Sequence, residues 1–156
     1  MIELDIPGRG QLKLMSLVLD VNGTIAFEGN LIPGVEERLT TLKSLLNISM
    51  ITADTYGKAP ALAKQLDITM YKLTPGDEDN QKLRYVRQLV SEHTVSIGNG
   101  ANDALMLGEA KIGICILGPE GAAAEAVTGS DVVVTDINLA LDLLLNPRRL
   151  VATLRK

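Results

Sequence analysis

Four stretches of the chain carry residues that could do chemistry together. In Met15-Ser16-Leu17-Val18-Leu19-Asp20-Val21-Asn22-Gly23-Thr24 an apolar run stops at a carboxylate and turn residues follow. Such a run suits a strand buried on both faces of a parallel sheet. Ligands of open α/β sheets bind beyond the carboxyl ends of the strands, which puts Asp20 at the mouth of a crevice. An isolated Asp-x-Asn-Gly equally describes a capped turn, so the other stretches decide. Ile48-Ser49-Met50-Ile51 ends at the Thr52 hydroxyl, Lys82 opens a helix, and Gly98-Asn99-Gly100-Ala101-Asn102-Asp103 follows a further strand. An acid, a hydroxyl, an ammonium and a second acid on one crevice edge suit phosphoryl transfer. A carboxylate can attack phosphorus and form an aspartyl-phosphate. Two anions meeting need positive charge, which Mg²⁺ and a lysine supply. Mg²⁺ takes hard oxygens, one or two carboxylates plus water and phosphate.

The elements that must position these groups alternate along the chain. Ile2 to Ile6 and Gln11 to Leu14 alternate apolar and polar around Pro7-Gly8-Arg9-Gly10, the pattern of an edge hairpin. A second small hairpin spans Ile25 to Ile32 beside the site. Helical spacing covers Val35 to Asn47, Tyr56 to Leu66, and Asp77 to about Glu92 with Leu83, Val86 and Val90 inward. It resumes over Ala104 to Ala110, Gly121 to Val127, the stretch from Asp136 to Leu145, and from Pro147 onward. Strands are expected at Ile48–Thr52, Ile68–Leu73, His93–Ile97, Ile112–Leu117 and Asp131–Thr135. Alternation of this kind predicts one α/β domain over residues 1–156, a Rossmann-like three-layer fold with a central parallel sheet between helices.

Composition bounds the function. The 156 residues are 46% apolar and 22% charged, with net charge −4, which argues against a surface that tracks nucleic-acid phosphates. Aromatics are 3%, so few platforms exist for stacking bases. One cysteine excludes an intrachain disulfide, and Cys115 in an apolar run reads as core. No basic signal sequence and no apolar run of membrane-spanning length are visible, so a cytoplasmic protein with no membrane partner is expected.

The four stretches resemble the motifs of the haloacid dehalogenase superfamily, in particular the soluble relatives of the P-type ATPase phosphorylation domain. Asp20-Val21-Asn22-Gly23-Thr24 is similar to D-x-x-G-T, and Ile51-Thr52-Ala53-Asp54 to the ATPase T-G-D. Lys82 matches the lysine ahead of the fourth strand, and Gly98-Asn99-Gly100-Ala101-Asn102-Asp103-Ala104 resembles G-D-G-x-N-D-A. The resemblance implies Asp20 as nucleophile, and a phosphate held by Gly23, Thr52, Ala53 and Lys82. It implies Mg²⁺ on Asp20, the Asn22 main chain, Asn99 and Asp103, with Thr24 and Asn102 in support. Two departures qualify it. Asn22 stands where phosphatases of the superfamily carry an Asp as general acid and base, and an amide cannot exchange that proton. Asn99 replaces a metal-binding Asp. Slow turnover of alkyl monoesters and a preference for acyl, anhydride or aryl phosphates of small molecules follow. Dehalogenation needs a cap domain, and the thirty-odd residues between Asp20 and Thr52 leave no room for one.

Two alternatives stay open. The same fold with Asn22 and Asn99 could serve as a phosphate- or nucleotide-binding regulatory module, and ATPase-like activity would need a nucleotide domain that this stretch lacks. With no cap, the Ile25–Ile32 hairpin is a candidate flap, closed by a second copy in a homo-oligomer or by the substrate itself. Asp54 reads as either a loop-orienting residue or part of the site. His93 reads as structural, and Arg148, Arg149, Arg155 and Lys156 as a solvated helix face.

Overall fold

The computed structural model describes residues 1–54 and 57–156. Strand β1 (Ile2–Ile6) pairs antiparallel with β2 (Gly10–Leu14), and β3 (Ser16–Asp20) follows at once. The hairpin strands β4 (Ala26–Phe27) and β5 (Asn30–Leu31) lead to helix α1 (Val35–Leu42). Then come β6 (Asn47–Thr52), α2 (Ala59–Leu66), β7 (Thr69–Lys72), α3 (Glu78–Gln88) and β8 (Thr94–Gly98). The chain ends with α4 (Ala104–Glu109), β9 (Ile112–Ile116), α5 (Ala124–Gly129), β10 (Val132–Val134), α6 (Ile137–Leu145) and α7 (Pro147–Leu154).

Six strands form one sheet in the order β10-β9-β8-β3-β6-β7, parallel at every pairing. The chain leaves β3 for β6 on one side and returns to β8 on the other. Strand order therefore reverses between β3 and β8, and a crevice opens there beyond their carboxyl ends. All five residues of β3 are buried because helices cover both faces: Leu17 and Leu19 point into the larger core, Val18 into the smaller one with Ile51, Val86 and Met106. Cys115 is buried beside Leu107 and Ala126, as its apolar run implied.

Several boundaries differ from the sequence reading for local reasons. The β1–β2 hairpin forms its own two-stranded sheet beside the main one and adds no strand to its edge. Helix α1 stops at Leu42, leaving Leu45 outside the helix and exposed. The expected helix start at Tyr56 lies outside the described residues; described helix begins at Ala59, with Pro60 in its first turn, where a missing N–H costs nothing. Helix α3 ends at Gln88, so Val90 is not inward: its φ is +67° and it is exposed, while Lys82 is buried on the inner face with Val86. The loop before α4 is a short 3₁₀ turn over Ala101–Asp103. No helix among the described residues is long and apolar enough to cross a membrane.

Candidate active site

Asp20 is the last residue of the central strand, in register with Ile51 of β6, so its carboxylate emerges at the switch point. Two side chains hold it. Lys82 Nζ donates to Oδ1 at 2.8 Å, and the Thr24 hydroxyl lies 3.0 Å from Oδ2 and 3.1 Å from the Asn99 side-chain oxygen. Asn99 Nδ2 donates to the Gly121 carbonyl at 3.1 Å, which fixes the amide with its oxygen toward the Thr24 hydroxyl. Thr24 comes within reach because the amides of Thr24, Ile25 and Ala26 all turn back onto the Val21 carbonyl.

Lys82 is the organising cation. Its ammonium also donates to Asp103 Oδ1 at 2.6 Å and to Asn102 Oδ1 at 3.4 Å, so its three protons meet three acceptors. Burial alone would lower its pKa, but the Asp20 and Asp103 charges outweigh that and hold it protonated well above the usual lysine range. Asp103 is pushed up to about 6, first by burial and then by the Asp20 charge, against the pull of Lys82. Its second oxygen accepts from the Asn99 and Gly100 amides at 3.0 and 2.9 Å. Asn102 links this pair outward, donating to Glu78 at 2.9 Å.

These groups line a cavity of ≈ 250 Å³ bounded by Asp20, Asn22, Thr52, Ala53, Lys82 and Asn99, together with Glu78, Asn102, Asp103 and Glu120. The Thr52 oxygen accepts from the Asp54 amide at 2.9 Å, leaving its proton for a ligand. Asp54 itself is committed to structure, accepting from the Ala59 amide at 3.0 Å and pairing with Lys72. Gly23 does not line the cavity: its amide donates to the Ala26 carbonyl at 2.7 Å, and the glycine supplies a left-handed turn at φ +80°. His93 ties β2 down through Lys13, and Arg148, Arg149, Arg155 and Lys156 are exposed. A larger, mostly apolar cavity of ≈ 580 Å³ lies next door, between the β4–β5 hairpin and the ends of β9 and β10.

Sequence reasoning missed Glu78 and Glu120. Both sit in loop or helix-start positions whose place at the crevice depends on packing. Glu78 had a signal, the acidic first turn of α3 one helical turn before Lys82.

Could these residues hold a divalent cation? Among the described residues no three acidic, His or Cys side chains converge as a metal site. Hard oxygens are nevertheless at hand around Asp20: its own carboxylate and the Asn99 side-chain oxygen, with Asn22 lining the same cavity. One carboxylate with neutral oxygens, water and phosphate is within what Mg²⁺ accepts. The charge balance asks for such an ion, since the carboxylates of Asp20, Glu78, Asp103 and Glu120 face the single Lys82 ammonium in one cavity. A phosphate entering that field without a cation would be repelled.

The fold and the reversal of strand order define the class, a haloacid dehalogenase-like fold. No family model matches the chain. The chain belongs to the same family as an uncharacterised protein of Methanocaldococcus jannaschii, 49% identical over 84 residues (51% of this chain, 90% of that protein). The potassium-transporting ATPase ATP-binding subunit of Deinococcus radiodurans is 30% identical over 105 residues, covering 67% of this chain and 16% of that one. The chain thus spans a small part of the ATPases it matches. Among solved structures, a 3-deoxy-D-manno-octulosonate 8-phosphate phosphatase of Moraxella catarrhalis, bound to magnesium, phosphate and its sugar acid, superposes with a TM-score of 0.67. It shares 21% identity, over 91% of this chain and 94% of that one. A phosphoserine phosphatase held as a phospho-aspartyl intermediate analogue gives 0.65 at 15% identity, over 86% and 99%.

Proposed function

We propose that this domain is a Mg²⁺-dependent phosphohydrolase that forms an aspartyl-phosphate on Asp20. The observation that carries the reading is the Lys82 ammonium, buried at 1% exposure and 2.8 Å from Asp20 at the switch point. A structural ion pair has no need to sit at the mouth of a polar cavity beside a hydroxyl with a spare proton. Phosphatase neighbours, one of them a phospho-aspartyl analogue, support the same chemistry.

In this reading Asp20, the Asn22 carbonyl and the Asn99 oxygen hold the ion, which supplies charge to bring a phosphate dianion against a carboxylate. Asp103 anchors Lys82 through Oδ1 and the Asn99 and Gly100 amides through Oδ2, and the lone pair left on Oδ1 is what it offers to the ion. Lys82, by exchanging its long 3.4 Å contact with Asn102, and the Thr52 hydroxyl hold phosphate oxygens, with Ala53 in the wall beside them. The Asp20 carboxylate attacks phosphorus as the bond to the leaving oxygen breaks, and water then releases phosphate. Asn22 cannot protonate the leaving oxygen, so acyl, anhydride and aryl phosphates of small molecules are the preferred substrates. Nothing in the charge pattern suits nucleic acid. Hydrolysis of acetyl phosphate and p-nitrophenyl phosphate with Mg²⁺, by wild type and Asp20→Ala, tests the proposal. Equal rates remove Asp20 from the mechanism.

The amides at Asn22 and Asn99 favour a second reading, a phosphate-binding regulatory module. Calorimetry separates the two: phosphate or nucleotide binding without product release from acetyl phosphate supports the module.

A further inference from the structure

We propose that Glu120 takes the proton from the water that hydrolyses phospho-Asp20, the task that Asn22 cannot perform. The inference rests on the phosphohydrolase reading above. Glu120 belongs to the tight turn Gly118-Pro119-Glu120-Gly121, closed by the Gly121 amide donating to the Gly118 carbonyl at 2.8 Å. Proline at the second position presets such a turn.

Two contacts hold this turn in place, one to each loop beside Asp20. A Cβ on Gly118 would stand 2.5 Å from the Gly23 carbonyl, so only glycine allows the approach. The Gly121 carbonyl is gripped by Asn99 Nδ2 at 3.1 Å. The turn is therefore pinned to both loops that flank Asp20. The Glu120 carboxylate lands beside Asn22-Gly23: a Cβ on Gly23 would meet its Oε2 at 2.5 Å. Glu120 lines the same cavity as Asp20.

The other carboxylates there are occupied. Asp103 is bound to Lys82 and two amides, and Glu78 accepts from Asn102. The ion pairs among the described residues leave Glu120 out. It is exposed, so a proton it accepts passes to solvent. In the step, the water oxygen bonds to phosphorus while the P–O bond to Asp20 breaks and its electron pair returns to the Asp20 carboxylate. One water proton goes to Glu120, and phosphate leaves.

The test is rapid-quench kinetics with p-nitrophenyl phosphate and Mg²⁺ on Glu120→Gln, Glu120→Asp and a control, Glu125→Gln, at an exposed residue of α5 outside the cavity, with labelled phosphoenzyme trapped in acid. Glu120→Gln should release about one equivalent of p-nitrophenol per site and then turn over about 10²-fold more slowly, with phosphoenzyme accumulating. Glu120→Asp should recover part of the rate, and Glu125→Gln should match wild type. An unchanged phosphoenzyme lifetime in Glu120→Gln overturns the proposal. So does a loss repaired by raising Mg²⁺, which would make Glu120 a ligand. If wild type itself forms no phosphoenzyme on Asp20, the phosphohydrolase reading falls first and this inference with it.

Discussion

Replacing Lys82 by methionine is the perturbation whose cost the structure allows to be worked out. The methionine fills the space and removes the charge. Two carboxylates that touched one ammonium, at 2.8 and 2.6 Å, are then left facing each other in a site where Asp103 is 0% exposed. Breaking a buried pair in this way costs about 3–5 kcal/mol. At roughly 3 °C per kcal/mol for a domain of this size, Tm should fall by about 10–15 °C at neutral pH. The pH dependence has a definite sign. In wild type the Asp103 carboxyl lies at about 6, above its unfolded value. Its stabilising contribution is therefore fully present below the unfolded pKa and is lost as pH rises through about 6. Without Lys82 the value climbs further, and a protonated Asp103 strands no charge. The deficit of Lys82→Met should thus be largest at high pH and shrink on acidification. Lys82 is held above its usual range, so the wild-type contribution of the ammonium persists through neutrality and disappears only in strong alkali. Thermal melts between about pH 5 and 8 of wild type, Lys82→Met and Lys82→Met/Asp103→Asn check this, the double variant regaining at least half of the loss. A Tm drop below about 3 °C that does not change with pH would refute the reasoning, because desolvation of the pair would then already cancel its attraction.

Three further outcomes are expected. Asn22→Asp should raise hydrolysis of alkyl phosphate monoesters by about 10²–10⁴-fold while changing p-nitrophenyl phosphate little, measured as the ratio of kcat/KM values. Asn99→Asp should tighten Mg²⁺ binding at least about tenfold by calorimetry, one added charge beside the ion being worth more than the ~1.4 kcal/mol this requires. It should also lower the Tm of the metal-free protein, since the new carboxylate adds to the acidic cavity. Gly118→Ala should cost about 1–3 kcal/mol and slow steady-state turnover, because its methyl group would press on the Gly23 carbonyl at 2.5 Å.

Much of this was readable from residue order alone. Local patterns determined the alternation of buried strands with amphipathic helices, and with it a parallel sheet between helices. They also put Asp20, Thr52 and the Asn99–Asp103 loop at strand ends, because a strand end is a local event: an apolar run stops and turn residues begin. Helix and hairpin limits were less legible. Leu45 and Val90 are apolar but lie past helix ends and are exposed. What the sequence could not decide was which of several oxygens each polar group would meet. Lys82 looks like any other lysine of a charged helix until the helix packs and buries it between two acids. Asp103, a ligand candidate by motif, meets an ammonium with one oxygen and two amides with the other. Glu120 carries no motif at all; a proline turn and a glycine-to-backbone contact across the crevice place it there. Spacing along the chain is a one-dimensional property, whereas hydrogen-bond partners depend on distances of about 3 Å between elements far apart in sequence, and those are set only when the layers pack.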